Sequence, residues 1–216
     1  MFQKGGKVIR GAAYMRSLQC LALGAAAILV LAAPASAQNI QFTPELLTPE
    51  PFDEAFFGFA ARAQLHVDWL AGYEDNYIFG AGYQRFLGDP NGLRYGLEVG
   101  LAGRFGYGEA SLEAWGGVVA RYDMTFFDTI KVGSALTIGL SVVTNTMPGH
   151  EREREAGRHG DATLLFYLGP EVSVSHVDNP NLEVFLRLHH RSGAWTTLGK
   201  MTGVMDATAV GIRYHF

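Results

Sequence analysis

Cysteine is nearly missing from this chain: Cys20 is the only one in 216 residues. It lies in an N-terminal segment that reads as removable, so disulfides, thiolate metal sites and a cysteine nucleophile are excluded from the mature protein. Long apolar runs are scarce as well. The stretch from Leu18 to Ala33 is short and alanine-rich, and nothing after it is long enough for a membrane-spanning helix. Positive charge is also in deficit. The chain has 17 basic and 21 acidic residues, a formal charge of -4. Residues 1–37 hold Lys4, Lys7, Arg10 and Arg16 and no acid, so their removal leaves 13 basic residues against 21 acidic, or -8. A mature surface so acidic excludes nucleic acid as a partner, because a phosphate backbone needs a basic face. The usual enzyme signatures are missing too: there is no G-x-S-x-G elbow, Walker loop, H-E-x-x-H or dinucleotide fingerprint.

What is present begins with an export signal. A basic segment, the apolar run and the small residues Ala35-Ser36-Ala37 follow in the order of a secretory signal peptide. Cleavage is expected between Ala37 and Gln38, and Met15 is a credible alternative start. Cys20 lies at the start of the apolar run and not at its end, which argues against a lipoprotein anchor. The expected organisation is a signal at 1–37, an N-terminal periplasmic segment at 38–57 and one barrel domain at 58–216.

The domain is recognised by a period of two. A strand crossing lipid reads apolar-out and polar-in over about ten residues. The first candidate strand, Phe59 to Trp69, sets Phe59, Ala61, Ala63, Leu65, Val67 and Trp69 against Arg62, Gln64, His66 and Asp68. The third sets Leu93, Tyr95, Leu97, Val99 and Leu101 against Arg94, Glu98 and Ala102. The fifth alternates Val132, Leu136, Ile138, Leu140 and Val142 with Thr137 and Ser141, and the sixth alternates Leu164, Phe166, Leu168, Val172 and Val174 with Tyr167, Glu171 and Ser173. Glycines dilute the second (77–86) and fourth (111–122), while 182–192 and 207–216 are clear. These make eight strands, an even number as in bacterial outer-membrane barrels. The fold class expected is all-β, an eight-stranded antiparallel transmembrane β-barrel.

A soluble barrel or sandwich would turn the apolar face inward. The opposite set would then be Arg62, Asp68, Arg94, Glu98, Arg121, Glu171, Arg187 and Arg213, mixed charges that suit an interior of buried ion pairs. An eight-stranded barrel has room only for side chains, so no open pore is expected. The chain also ends on Phe216, with Tyr214, Ile212, Val210 and Thr208 at alternate positions before it. That ending matches the C-terminal signature by which barrel-assembly machinery recognises its substrates.

Loop lengths orient the barrel. Gly88-Asp89-Pro90-Asn91-Gly92 and Asp178-Asn179-Pro180-Asn181 read as compact periplasmic turns. The polar stretch 146–161 falls on the extracellular side. Its His150, Glu151, Glu153, His159 and Asp161 match no ligand spacing, and are expected to be a solvated, self-neutralising loop and not a metal site. Trp69, Tyr77 and Phe126 read as interfacial girdle.

One constellation invites chemistry. In the seventh strand Phe185, Arg187, His189 and Arg191 share the inner face, so His190 and Ser192 point outward. In the eighth strand outward positions are even, which turns Asp206 to the same face and returns it beside Ser192. A hydroxyl, an imidazole and a carboxylate thus meet at the extracellular end, at the depth of the outer leaflet. Serine needs a base to become a nucleophile, and histidine needs an acid to fix its tautomer.

At these residues the chain resembles a known family. His190-Arg191-Ser192-Gly193, the final strand, the signal peptide and the eight-strand frame are similar to the PagL-type lipid A 3-O-deacylases, outer-membrane barrels that hydrolyse an acyl ester of lipid A. The specific likeness covers roughly residues 182–216. The resemblance implies Ser192 as nucleophile, His190 as base and Asp206 as orienting acid. The family commonly has Asn after the serine and Glu as the acid; this chain has Gly193 and Asp206. A backbone N–H of Gly193 is the candidate oxyanion donor. Trp195, in the following loop, is a girdle residue or an acyl-chain contact.

Two functions are therefore expected to compete. One is a serine esterase in the outer membrane of a Gram-negative bacterium, with lipid A (lipopolysaccharide) as substrate and no metal or organic cofactor required. The other is a non-enzymatic small barrel used for adhesion, structure or host interaction. The outward Ser192, His190 and Asp206 separate the two, since a structural barrel has no need to assemble them. For the export signal, intact-mass analysis of protein purified from outer membranes should give a chain beginning at Gln38; a retained residue 1–37 segment would refute the cleavage site.

Overall fold

The structure is a computed structural model and describes residues 54–65 and 72–216. The expected signal peptide lies outside the described residues, as do His66, Val67, Asp68 and Trp69. Eight strands follow one another around a closed antiparallel barrel: β1 (Glu54–Gln64), β2 (Tyr73–Gly88), β3 (Leu93–Gly106), β4 (Glu109–Phe126), β5 (Ile130–Val143), β6 (Leu164–His176), β7 (Asn179–Ser192) and β8 (Gly203–His215). One helix, α1 (His150–Arg158), interrupts the β5–β6 connection. Closure comes from β1 pairing with β8. At that seam the amide of Phe216 donates to the carbonyl of Glu54 at 2.9 Å, so both chain ends of the barrel lie together. Every strand then has two partners, which is what a sheet in hydrocarbon requires.

This is a transmembrane β-barrel of the outer-membrane type, and its outside is apolar. Leu97, Val99, Leu101, Val118, Ile138, Val184, Val210 and Ile212 all stand exposed on the outer face. Aromatic residues mark both rims. Tyr95, Tyr122, Phe126 and Tyr214 are exposed at the end with short turns, and Tyr73, Tyr77, Phe105 and Tyr107 at the other.

The inside is a lattice of ion pairs around an aromatic layer. Arg187 donates to Glu98 through both terminal nitrogens at 2.8 Å and to Glu171 at 2.8 Å. Arg213 bridges Glu171, at 2.7 and 2.8 Å, to Glu183, and Arg121 clamps Glu183 at 2.6 and 2.7 Å. Glu171 and Glu183 are each shared by two arginines and Glu98 pairs with Arg187, so charges removed from water stay compensated. Above them Phe59, Trp115, Tyr167 and His189 pack with ring centroids 4.8–5.8 Å apart. Room for these rings is made by glycine. A Cβ on Gly100 would lie 2.1 Å from the Trp115 ring, and one on Gly82 would lie 2.3 Å from Phe57. Gly82 in β2 and Gly100 in β3 are therefore the sockets of inward aromatics.

The first strand differs from expectation. It begins at Glu54, before the expected barrel start at 58, and its faces are reversed: Phe57, Phe59, Ala61 and Ala63 are buried inside, while Phe56 and Ala60 face out. The cause is the aromatic layer, which gives the interior an apolar zone that a charged-lumen pattern does not anticipate. Arg62 accordingly faces outward at the rim, 3.0 Å from Asp75, with the Tyr73 and Tyr77 rings within 5.6 Å. Arg94, Glu98, Arg121, Glu171, Arg187 and Arg213 are inside as expected. The turn between β6 and β7 is shorter than its composition suggests, since β7 already begins at Asn179.

Val99 lies on the outer face in the middle of β3, opposite Tyr83 and Gly116. Val99→Arg should cost about 2–4 kcal/mol of folding stability in bilayers, as expected of a cation at the hydrocarbon midplane. Denaturant titration in phospholipid vesicles reads this directly; an unchanged midpoint would refute the assignment of that face to lipid.

Candidate active site

The register of β7 against β8 builds the site. His190 pairs directly with Asp206, and both side chains emerge on the outer face. The imidazole Nδ1 lies 2.5 Å from Asp206 Oδ1. Asp206 is almost fully buried and His190 nearly so, at 3% and 12% side-chain exposure, which keeps the contact out of bulk water. An imidazole bonded to carboxylate through Nδ1 holds its proton there and presents Nε2 as a base. On the other side of β8, Gln64 of β1 pairs with Asp206, and its amide donates to Thr208 at 2.7 Å.

Ser192 sits two residues beyond His190 on the same face. It does not stand beside Asp206, as expected, but opposite Gly203, because Asp206 is already paired with His190 two residues earlier. This pairing gives the carboxylate to the imidazole and not to the hydroxyl. The Ser192 hydroxyl donates to the Thr202 carbonyl at 3.3 Å and accepts from the Ala194 amide at 3.1 Å. A turn about χ1 is therefore needed before it can meet the imidazole.

The β7–β8 loop is tightly wound. Ala194, Trp195 and Thr196 all take positive φ, at 45°, 55° and 73°. Three consecutive non-glycine residues in the left-handed region cost about 1–3 kcal/mol each. Packing supports this: Met201, Val204 and Met205 are buried in the core cluster. Trp195 is left 73% exposed at the rim. Gly193, the expected oxyanion donor, has its amide committed to the Thr202 carbonyl at 2.8 Å. It is glycine for want of space, as a Cβ there would lie 2.2 Å from the Met201 carbonyl oxygen.

The stretch 146–161 is not the solvated loop expected from its charges. Its centre is helix α1, started by Glu74, whose carboxylate accepts from the His150 amide at 2.7 Å. Glu151 turns into the barrel mouth, fully buried. There it accepts from Arg104 and, at 2.5 Å, from Arg191. Glu113 lies deeper, 3.6 Å from Arg104 and 2.9 Å from His189. His189 is thus an interior hydrogen-bonding residue, as its parity predicts. Among the described residues no cluster of three or more His, Cys, Asp or Glu is arranged to hold a metal ion. The outer face of α1 brings a residue the sequence did not single out: Arg154, whose guanidinium donates to the Gly203 carbonyl at 2.6 Å.

No protein-family model matches this sequence, and no curated protein does. Solved structures do. The outer membrane enzyme PagL shares 14% identity and a TM-score of 0.50, over 74% of this chain and 98% of its own. Neisserial surface protein A shares 15% identity and a TM-score of 0.47, over 76% and 97%. Ail, the attachment invasion locus protein of Yersinia pestis, shares 10% and a TM-score of 0.39, over 76% and 99%. The likeness is one of fold, the closed eight-stranded barrel.

Glu151 fastens α1 to the barrel, so Glu151→Ala should release the helix. The change leaves Arg104 and Arg191 with a lost partner and should cost about 3–5 kcal/mol. Limited trypsin digestion of the variant in micelles should cleave at Arg152, Arg154 or Arg158 faster than in the wild type; equal rates would show that the ion pairs do not hold the helix.

Proposed function

We propose that this barrel resides in the outer membrane and is a serine esterase, removing an ester-linked acyl chain from lipid A in the outer leaflet. The observation that carries the reading is the His190–Asp206 contact on the lipid-facing surface, two residues from Ser192. A carboxylate–imidazole pair on the outward side of the barrel wall has to be paired and shielded, and a purely structural barrel gains nothing from building it. The H-x-S segment and its resemblance to PagL-type deacylases support the same conclusion, as does the position of the set at the end of the barrel with the longer loops.

The chemistry follows from the geometry. Lipid substrate arrives laterally, which suits a barrel whose interior is filled with side chains. Phe166 and Leu168 of β6 pair with Ser192 and His190, and with Leu188 they offer an acyl chain an apolar track leading to the hydroxyl. Trp195 at the rim is suited to cover that chain. Ser192 Oγ adds to the ester carbonyl carbon while its proton passes to His190 Nε2, and Asp206 stabilises the imidazolium. The tetrahedral adduct expels the sugar alkoxide, which takes the proton from His190. Water, deprotonated by the same imidazole, then releases the fatty acid from Ser192.

The hydroxyl's bonds to Thr202 and Ala194 favour the competing reading, a non-enzymatic barrel. Mass spectrometry of lipid A from cells expressing wild type, Ser192→Ala and Asp206→Asn decides between them. The esterase predicts loss of one hydroxyacyl mass with wild type only. Ser192→Ala should lower turnover about 10⁶-fold and Asp206→Asn about 10⁴-fold, as when a triad loses its nucleophile or its acid. Unchanged lipid A in all three strains, with protein folded in the outer membrane, would establish the non-enzymatic barrel.

A further inference from the structure

Addition to an ester carbonyl puts negative charge on oxygen, and an esterase stabilises it with preorganised donors. The two backbone amides after Ser192 are engaged in the resting arrangement. The Gly193 amide donates to Thr202, and the Ala194 amide donates to the serine hydroxyl itself. The side-chain amide that the related deacylases carry after the serine is replaced here by a hydrogen atom.

Helix α1 supplies a cation at that place. Arg154 Nη1 reaches the carbonyl of Gly203 at 2.6 Å, and Gly203 is the cross-strand partner of Ser192. Around the Cβ position of Gly203, Arg154 Nη1 lies at 3.7 Å and His190 Cε1 at 3.9 Å. Guanidinium and imidazole edge therefore converge on the glycine paired with Ser192, whose missing side chain leaves the space between them open. Arg154 also differs from the arginines of the barrel interior. Arg104, Arg121, Arg187, Arg191 and Arg213 each touch a carboxylate. Arg154 touches a carbonyl, and burial pushes its pKa below the ordinary arginine value, only partly opposed by the charge of Asp206. A guanidinium has five N–H groups in a fixed fork, and one bond to Gly203 leaves others for a second acceptor.

We propose that Arg154 is the oxyanion donor of this site, a catalytic residue brought from α1 to the β7–β8 surface. As the Ser192 Oγ–carbon bond forms, the carbonyl π pair moves to oxygen and is met by an Arg154 N–H. When the adduct collapses the pair returns, and the alkoxide leaves with the proton from His190. This assignment rests on the esterase reading and adds to it the group that replaces the family's asparagine.

The test compares full-length protein in detergent micelles acting on lipid A and on the same lipid A stripped of its phosphates. Wild type, Ser192→Ala, Arg154→Met and Arg154→Lys are assayed, with folding checked by heat-modifiability on gels. Arg154→Met should lower kcat about 10²–10³-fold on both substrates, with KM changed less than about threefold. Arg154→Lys should recover part of kcat, since it keeps a charged donor. If Arg154→Met loses activity only on the phosphorylated substrate, and through KM, Arg154 holds a headgroup phosphate and the oxyanion assignment is overturned. Wild-type kcat in a folded Arg154→Met also overturns it, with the esterase intact. Should Arg154→Met fail to fold, the Lys variant decides: a folded Arg154→Lys with wild-type kcat and a raised KM refutes the assignment. If wild type and Ser192→Ala are equally inactive on both substrates, the esterase reading itself has failed and takes this one with it.

Discussion

Burial of charge inside a narrow barrel is the condition on which the rest of this structure depends. Eight strands leave space for side chains and none for a water column. An arginine in that space must find its carboxylates within the same cross-section. Glu98, Glu171 and Glu183 from three different strands meet this demand from Arg187, Arg213 and Arg121. Because Glu171 and Glu183 are shared between arginines and Arg187 also holds Glu98, the register of every contributing strand is tied to that of the others. Slipping one strand by a residue would send its charges into lipid and its leucines into the lattice.

The same lattice reaches the surface chemistry. Arg191 and His189 are inward neighbours of His190 on β7; Glu113 holds both, and Glu151 also holds Arg191. Their anchoring fixes the height and twist of the strand that turns His190 and Ser192 outward. Inner and outer faces of β7 are thus two sides of one constraint, a rigid support for groups that must meet within hydrogen-bond distance.

Much of this was legible in the residues. Period-two alternation in β3, β5, β6 and β7 gives strand identity and facing directly, because their inner sides are polar and their outer sides apolar. The first strand defeats the same reasoning. Phe56, Phe57, Phe59, Ala60 and Ala61 make both of its faces apolar, so only the aromatic layer formed by β4, β6 and β7 decides which side is in. Asp206 was assigned its face correctly by parity but not its partner, since the register that sets it opposite His190 leaves no mark in composition. Helix α1 was missed for a similar reason. Its Glu and Arg residues look solvated until the barrel mouth offers Glu151 two arginines from β3 and β7. Nothing local marks Arg154, whose significance comes from the loop it overhangs.

The meeting of β8 with both β7 and β1 has a consequence for biogenesis. The carboxylate beside His190 belongs to the last strand, and the strand that flanks it on the other side is the first. The first seven strands hold Ser192 and His190, and the carboxylate that bonds the imidazole arrives only with the eighth. The contact comes into being only as the seam closes, so under the proposed chemistry a half-built barrel would be inert amid the lipids through which it is being inserted.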